Sequence, residues 1–136
     1  METKVWGKKR TMFKGNNVQI DILYLKKDTF CSWHYHNTKY NKFVVQNGRI
    51  RVEIIDQQMP KGYGVELDRD SGYDYVIVNP KKEHRFVALE DAVVIEIMYT
   101  DKDKTLYNDD IVRSSQGGKI IDGKEIRECD LGGDTK

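Results

Sequence analysis

The sequence contains few cysteines and no long hydrophobic run. Its two cysteines, Cys31 and Cys129, form neither a disulfide framework nor a CxxC zinc motif. No segment approaches the roughly 20 apolar residues of a membrane-spanning helix. The start of the chain, Met1-Glu2-Thr3-Lys4, lacks the apolar stretch of a signal peptide. We therefore expect a reduced protein of the cytoplasm that has no membrane partner.

An excess of charge of one sign is also missing. The 136 residues include 23 Lys and Arg against 22 Asp and Glu, which gives a net charge of +1. Nucleic acid is therefore not an expected partner, because its binding sites need clustered basic residues. The length predicts a single domain over residues 1–136. A domain of this size buries roughly two-thirds of its unfolded surface, so it needs neither disulfides nor a metal merely to fold.

Hydrophobic residues alternate with polar ones along much of the chain. Val18, Ile20 and Ile22, for example, are separated by Gln19 and Asp21. A period of two is typical of a strand that has one face in a core and one wetter face. Turn-forming residues recur at short intervals, and no segment has the pattern of a long amphipathic helix. The sequence therefore predicts an all-β sandwich or barrel with little or no helix.

Two dipeptides predict β-hairpins. Asn47-Gly48 stands between two strand-like segments, residues 43–46 and 49–52, and such a pair tolerates the positive φ angles of a type I′ turn. Asp122-Gly123 predicts a second hairpin over residues 119–126, which would pack on the barrel or on a second subunit.

The composition changes near Thr100. Residues 101–104 are all charged, and residues 114–118 are rich in Ser and Gly. We expect the core of the domain over about residues 4–100 and a C-terminal extension over residues 101–136, with a frayed end.

The chain has three histidines, and their arrangement indicates a metal site. His34 and His36 are two residues apart, so on a strand both side chains point to the same face. His84 follows a turn and opens another strand, so it is able to supply a third nitrogen. Imidazole is a ligand for Zn, Mn, Ni and Fe, so a divalent ion of one of these metals is the expected cofactor. A His-x-His pair by itself is more often a surface or hydrogen-bonded pair, and that alternative stays open on the residues alone.

The order of these features resembles that of the cupin family. The His-x-His pair is followed by Gly48, then by a turn at Pro80, by His84, and by an apolar strand over residues 93–97. The resemblance covers roughly residues 4–119. It implies a double-stranded β-helix, the cupin jelly-roll barrel, with the metal held by the three histidines.

Two end segments resemble one branch of the cupins. Lys4-Val5-Trp6-Gly7 and the segment at residues 108–113 are similar to the ends of the C-terminal isomerase domain of bifunctional mannose-6-phosphate isomerases. This resemblance implies a sugar-phosphate isomerase that is a homodimer and takes a small-molecule ligand. Arg113 and Lys119 are the expected phosphate-binding residues, and Tyr40 and Trp33 are the expected aromatic contacts to the substrate.

The chain departs from the family pattern at several positions. Asn41 stands where the family has a metal-binding Glu, and its amide oxygen is a weaker ligand than a carboxylate. Asp28 replaces the first-motif glycine, and Lys82 replaces the glycine of the second motif. The family's final arginine is missing, which leaves Lys119 nearby. Glu96, Glu66 and Glu83 are the candidates for a catalytic base, although a structural or solvent-facing role is expected for each.

Two alternative functions fit the same residues. Three neutral histidines without a carboxylate resemble the thiol dioxygenase branch of the cupins, which uses Fe(II). A cupin barrel that has lost catalytic groups would instead be a sugar-binding or regulatory module, with aromatic side chains stacking on the ligand. The sequence does not choose between these functions and isomerisation, because one fold supports many activities.

Overall fold

The structure is a computed structural model, and it describes residues 1–132 as two antiparallel β-sheets. In this part of the chain the only helix is a 3₁₀ turn, Glu128–Asp130, and no helix is long and apolar enough to span a membrane. The expectation of an all-β fold is therefore confirmed. The strands are β1 (Glu2–Lys4), β2 (Gly7–Lys14), β3 (Val18–Leu25), β4 (Thr29–Phe30), β5 (His34–Tyr35), β6 (Tyr40–Asn47), β7 (Arg49–Ile55), β8 (Tyr63–Asp68), β9 (Tyr75–Val78), β10 (Glu83–Ala88), β11 (Ala92–Tyr99), β12 (Val112–Arg113), β13 (Gly118–Ile121) and β14 (Lys124–Arg127).

The first sheet has six strands in the order β1-β2-β3-β11-β6-β9. The second sheet has eight strands, of which β10 is central because it pairs with β4, β5 and β7. The C-terminal region contributes to this second sheet: β12 pairs with β5, and β13 pairs with β4. Part of the expected C-terminal extension therefore completes a sheet. The end that we expected to fray includes residues 133–136, which lie outside the described residues.

The two hairpin predictions have different outcomes. Asp122 and Gly123 have φ angles of 52° and 77°, and they connect β13 to β14 as predicted. The prediction of a hairpin at Asn47-Gly48 is wrong, because β6 pairs with β11 and β9, whereas β7 pairs with β10 and β8. The chain crosses between the sheets at Gly48. A Cβ there would lie 2.1 Å from the carbonyl oxygen of Asp91, so the crossing requires glycine.

The core lies between the inner faces of the two sheets. Leu23, Phe43 and Val94 enter it from the first sheet, and Val52 and Phe86 enter it from the second. Each large apolar side chain contributes about 1.5–3 kcal/mol when it is fully buried. Polar side chains occupy part of the same inner face, so the interior has an apolar part and a polar part. The polar part contains all three histidines.

The outer face of the six-stranded sheet is also apolar. Ile22, Ile95, Val44 and Tyr75 form one row across four neighbouring strands, β3, β11, β6 and β9. Ile20, Ile97 and Ile77 lie in the next row, which Lys42 interrupts. We call these two rows the apolar sheet face. The side chains of this face are partly buried or exposed. In β3, the isoleucines are therefore on the outer face of the sheet, and Gln19 and Asp21 are on the inner face.

The C-terminal hairpin is held to the outside of the second sheet by Arg85. The Arg85 guanidinium donates to Glu53 Oε1 at 2.7 Å and to both carboxylate oxygens of Glu125 at 3.0 and 2.6 Å. The same group lies 4.9 Å from the ring centroid of Phe30 and 5.0 Å from that of Trp33. Glu125 is in β14, so this network connects the hairpin to β10 and β7.

We predict that Arg85→Met destabilises the protein by about 2 kcal/mol, because it removes charge-assisted hydrogen bonds and leaves the half-buried Glu53 without this partner. Equilibrium unfolding in urea measures the change. Arg127→Met, on the same hairpin, is the control. Arg127 is exposed and lies 4.0 Å from Asp130, so we expect an effect of about 0.5 kcal/mol or less. Equal losses in the two variants would show that the Arg85 network does not hold the hairpin.

Candidate metal centre

The three histidines meet at the inner face of the second sheet. His34 in β5 lies directly opposite His84 in β10, and His36 follows β5 on the same face as His34. The ring centroids are 4.4 Å apart for His34 and His84, 5.1 Å for His34 and His36, and 5.6 Å for His36 and His84. One ligand nitrogen from each residue lies within 4.8 Å of the other two. The sequence prediction that these residues come together is confirmed.

A backbone carbonyl fixes the tautomer of each ring. The Nδ1 atoms lie 2.8, 2.6 and 2.9 Å from the carbonyl oxygens of Ser32, Asp110 and Lys82, in the order His34, His36, His84. A carbonyl only accepts hydrogen bonds, so each Nδ1 carries the proton and each Nε2 keeps its lone pair. A hydrogen bond from Nδ1 to a carbonyl is the arrangement that orients histidine rings to bind a metal through Nε2.

The Nε2 atoms have the properties of metal ligands. His36 Nε2 and His84 Nε2 are fully buried and have no hydrogen-bond partner within residues 1–132. Burial is the main cause that lowers the pKa of His34 well below its usual value, that of His84 to about 4, and that of His36 to a lesser extent. The rings are therefore neutral at neutral pH. Neutral imidazoles with unpartnered lone pairs fit a divalent ion of the kind that nitrogen ligands prefer.

Two turns that position these histidines contain residues with positive φ. Lys81 has a φ of 70°, and its N–H donates to the carbonyl oxygen of His36 at 2.6 Å. This contact joins the turn before His84 to the end of the His-x-His segment. Asp28 has a φ of 64°, at the position where the resembling family has its first glycine. Glycine is favoured in this conformation, which explains the family preference at that position.

The segment that contains Asp110 holds His36 and the loop that follows it. The Asp110 carboxylate accepts hydrogen bonds from the backbone N–H groups of Asn37 and Thr38 at 2.8 and 3.0 Å, and from the Thr38 hydroxyl at 2.9 Å. These bonds outweigh the effect of burial and hold the pKa of Asp110 below its usual value. Asp110 therefore binds the loop after His36 through its side chain and His36 itself through its carbonyl.

The inner face of the first sheet opposes the histidines with a polar layer. Asn41 and Glu96 are joined by a 2.6 Å hydrogen bond from Asn41 Nδ2 to Glu96 Oε2. Gln19 Nε2 donates to Asp21 Oδ1 at 3.0 Å, and Lys9 Nζ lies 3.9 Å from Asp21 Oδ2. Sequence reasoning missed Asp21 and Gln19 as members of this layer. They are the polar positions of the β3 alternation, and only the sheet packing shows that this side faces inward.

Glu96 is the titratable group of this layer whose chemistry is most changed. Burial, with the nearby Asp21 carboxylate as the second cause, raises the pKa of Glu96 to about 7. A carboxyl group with such a pKa exchanges protons readily at neutral pH. Of the three predicted candidates for a base, Glu96 is the one on the inner face. Glu66 is exposed beside Arg49 at 3.7 Å, and Glu83 accepts a hydrogen bond from Ser114.

Asn41 faces the interior, and its role as a metal ligand stays a prediction. The side chain is 1% exposed, and Oδ1 is fully buried without a hydrogen-bond partner within residues 1–132. Its amide group is already bound to Glu96. The unpartnered oxygen is the atom of Asn41 that could bind a metal, because an amide nitrogen has no free lone pair.

The four predicted substrate-binding residues lie in different places. Arg113 pairs with His34 across β12 and β5, so its side chain lies at the exposed edge of the inner face next to the histidines. Lys119 is exposed on β13 and pairs with Thr29, near the end of β10 remote from His84. Tyr40 stacks on Tyr99, with ring centroids 5.1 Å apart, and it alternates with the inward-facing Asn41. Trp33 packs against Arg85 outside the second sheet.

Cys31 is not placed for thiol chemistry. Its Sγ accepts a hydrogen bond from the Phe86 N–H at 3.2 Å in the core. Burial raises the pKa of the Cys31 thiol to about 12, so the reactive thiolate is not formed at neutral pH.

Comparisons with known proteins support the fold. No protein-family model matches the sequence, and no curated protein has significant sequence similarity to it. Solved structures do match. Oxalate decarboxylase from Bacillus subtilis has a TM-score of 0.65 at 16% identity, covering 84% of this chain and 29% of that one. CapF from Staphylococcus aureus, a capsular polysaccharide assembling protein, has a TM-score of 0.66 at 18% identity, covering 82% of this chain and 31% of that one.

One of the structural neighbours is similar in length to this chain. KdgF from Halomonas sp. has a TM-score of 0.57 at 19% identity, covering 70% of this chain and 81% of that one. The chain thus spans about a third of the length of oxalate decarboxylase and CapF, but most of the length of KdgF. These neighbours share the cupin jelly roll, and the chain has this fold. The chain therefore combines the fold of these neighbours with a cluster of three histidines that forms a candidate metal centre.

The Asn41–Glu96 pair suggests how a carboxylate ligand could be restored. Asn41→Glu alone would place a second carboxyl group against Glu96, and the two would have to share a proton. The double variant Asn41→Glu/Glu96→Gln reverses the donor and the acceptor and keeps the hydrogen bond. We predict that the double variant binds Zn²⁺ about tenfold more tightly than the wild type, because carboxylate is a stronger ligand than an amide. Asn41→Glu should bind no more tightly than the double variant.

Titration with a competing chelator measures these affinities. Glu96→Gln alone is the matched control, because it changes the charge without adding a ligand. If the double variant and this control bind Zn²⁺ equally, Asn41 is not at the metal position.

Proposed function

We propose that the protein is a divalent-metal-dependent isomerase that acts on a small hydroxylated anion, of which a sugar phosphate such as mannose 6-phosphate is the substrate suggested by the end segments. The observation that carries the proposal is the convergence of three Nε2 lone pairs, held by Nδ1 bonds to backbone carbonyls, on an inner face that also contains Glu96. A divalent ion bound there would supply polarisation of a substrate carbonyl or hydroxyl oxygen.

Side chains of the protein would transfer the substrate proton in the proposed isomerisation. In aldose–ketose isomerisation a base removes the proton from the carbon beside the carbonyl and returns it to the former carbonyl carbon, while a hydroxyl proton moves between the two oxygens. Glu96 is the carboxyl group proposed for the transfer between carbons. It lies in the sheet that opposes the histidines, and Asn41 holds one of its oxygens in place. Arg113, at the exposed edge next to His34, would bind the phosphate.

The structural neighbours give this proposal general support. The name oxalate decarboxylase describes an enzyme that acts on a small organic anion within the same fold. Fe(II)-dependent dioxygenation is the second candidate, and it is favoured by the ligand set of three imidazoles without a carboxylate. A sugar-binding module without turnover is the third outcome that an experiment must distinguish.

The first experiment measures metal content and activity together. We expect near-stoichiometric zinc, manganese or nickel in the purified wild type by elemental mass spectrometry, and loss of the metal in His36→Ala. The metal-loaded protein is then assayed for interconversion of mannose 6-phosphate and fructose 6-phosphate. Iron with oxygen consumption would favour the dioxygenase instead. Absence of metal after reloading would contradict both enzymatic proposals and favour the binding module.

Glu96→Gln tests the proposed base. We predict a loss of about 10²–10⁴-fold in kcat, since a positioned acid–base group contributes this much, with metal occupancy unchanged. Glu66→Gln is the matched control, because Glu66 is exposed and belongs to the outer surface. A Glu96→Gln variant as active as Glu66→Gln would exclude Glu96 as the base.

We also propose that the protein is a homodimer that buries the apolar sheet face against a second copy. Three strands of roughly 25 Å and the shorter β9 of roughly 13 Å, about 4.8 Å apart, span roughly 420 Å² in plane. The relief of the side chains enlarges this area toward the roughly 800 Å² per partner of a standard interface. The apolar row of Ile22, Ile95, Val44 and Tyr75 is suited to packing against its own copy.

Ile95→Glu tests the dimer. We predict that the wild type sediments at twice the chain mass of 15.9 kDa and that Ile95→Glu sediments as a monomer, because a charge in the centre of the face would be desolvated on association. Ile121→Glu, at an exposed position of the C-terminal hairpin, should stay dimeric. A monomeric wild type, or an Ile95→Glu dimer, would contradict the proposed interface.

A further inference from the structure

Lys39 is a buried cation without a partner. Its side chain is 5% exposed. Within residues 1–132 no hydrogen bond and no ion pair shorter than 4.0 Å joins it to another residue. Its ammonium is not among the fully enclosed unpartnered atoms, which include His36 Nε2 and Asn41 Oδ1. The ammonium nitrogen therefore keeps some accessible surface at which a ligand could contact it.

Lys39 lies between the two halves of the site. It immediately precedes β6, and it is buried like Asn41 and Phe43 whereas the residues between them are only partly buried, so the inward alternation of β6 extends to Lys39. Its charge contributes to the lowered pKa of His36 and opposes the raised pKa of Glu96. The ammonium is therefore electrostatically close to a histidine of the second sheet and to the carboxyl group of the first.

The carboxylates of the site are satisfied by other residues. Asp21 is bound by Gln19 and lies near Lys9, and Glu96 is bound by Asn41. Asp110 is bound by the Asn37 and Thr38 N–H groups. The groups with unused binding capacity are therefore the Nε2 atoms, Asn41 Oδ1 and two cations.

The second of these cations is Arg113. It lies next to His34 in the same row of the inner face, and in the described part of the chain no carboxylate lies within 4.0 Å of it. Lys39 loses hydration on burial, and the attraction of Asp110, Glu96 and Asp109 acts on it without forming an ion pair. A site with two cations that form no ion pair is electrostatically complementary to a negative ligand.

We propose that Lys39 binds the anionic group of the ligand, with Arg113 at the rim as its second contact, so that the ligand is a small organic anion bearing a carboxylate or a phosphate. The inference rests on the proposed function for the position of the ligand beside the three histidines, and it adds the residue that anchors the ligand. Lys39 is then the main anion-binding group, and Arg113 is the second one.

The test uses inorganic phosphate and malonate as probes for the two kinds of anion. Each is titrated into ¹⁵N-labelled, metal-free protein, and binding is followed by NMR shifts of residues 34–41 and of Arg113. Lys39→Met keeps the length of the side chain and removes the charge. Lys42→Met is the matched control, since Lys42 lies on the outer face of β6 with its ammonium 4.5 Å from the Tyr75 ring centroid.

We expect both lysine variants to fold and Lys39→Met to be at least as stable to heat as the wild type, because it removes a desolvated charge. We expect Lys39→Met to weaken binding of the preferred probe by at least about tenfold and Lys42→Met to leave it unchanged. Tighter binding of phosphate would identify a phosphorylated ligand, and tighter binding of malonate would identify a carboxylate. Either preference supports the proposal.

Two results would overturn the proposal that Lys39 binds the anion. One is equal binding of the probes to Lys39→Met and to the wild type, and the other is no change in the NMR shifts of residues 34–41 in the wild type with either probe. Zinc affinity, measured in the absence of both anions, separates this inference from the proposed metal centre. Lys39→Met should bind zinc at least as tightly as the wild type, because a positive charge near His36 is removed. Failure of the wild type to bind zinc would contradict the metal centre, whereas the anion titration would still decide the role of Lys39.

Discussion

The site depends on the register of two strands. His34 lies opposite His84 where β5 pairs with β10, and a shift of β5 by one residue would turn the His34 ring to the outer face, away from His84. The carbonyls that hold the Nδ1 atoms belong to the same segments, because Ser32 and Lys82 each lie two residues before the histidine they bind. The third ring is held by Asp110, from a distant part of the chain. Ring position and tautomer are therefore set by backbone geometry before any ligand is bound.

The interior of the barrel has two environments whose burial affects the stability of the fold in opposite directions. Its apolar part stabilises the fold by burying side chains such as Leu23 and Phe43. Its polar part buries carboxyl groups, imidazoles and an ammonium, each of which loses hydration. Most of that loss is offset by specific pairs, such as Asn41 with Glu96 and Gln19 with Asp21. The groups without such pairs, which are the Nε2 atoms, Asn41 Oδ1 and the Lys39 ammonium, are those with the capacity to bind a ligand.

The sequence predicted the fold and the histidine cluster for identifiable reasons. Period-two alternation is a local property of strands, and two histidines two residues apart share a face wherever the strand lies. Asp122-Gly123 was read correctly as a hairpin because the turn conformation is also local. Asn47-Gly48 was misread, because the same dipeptide serves here as the crossing between two sheets. The difference lies in which strands accept the backbone hydrogen bonds, and no short segment contains that information.

The sequence by itself determined the strands, the shared face of His34 and His36, and the residue types available to bind a metal. Only the tertiary structure decided which face of each strand is inside. In β3 the isoleucines lie outside and Asp21 inside, which is the reverse of what a strand with one wet face suggests. The same holds for Glu96 and Lys39, whose neighbours come from other strands or from the segment that contains Asp110. Burial and electrostatic environment depend on packing between distant segments, and these two properties turn ordinary charged residues into a candidate site.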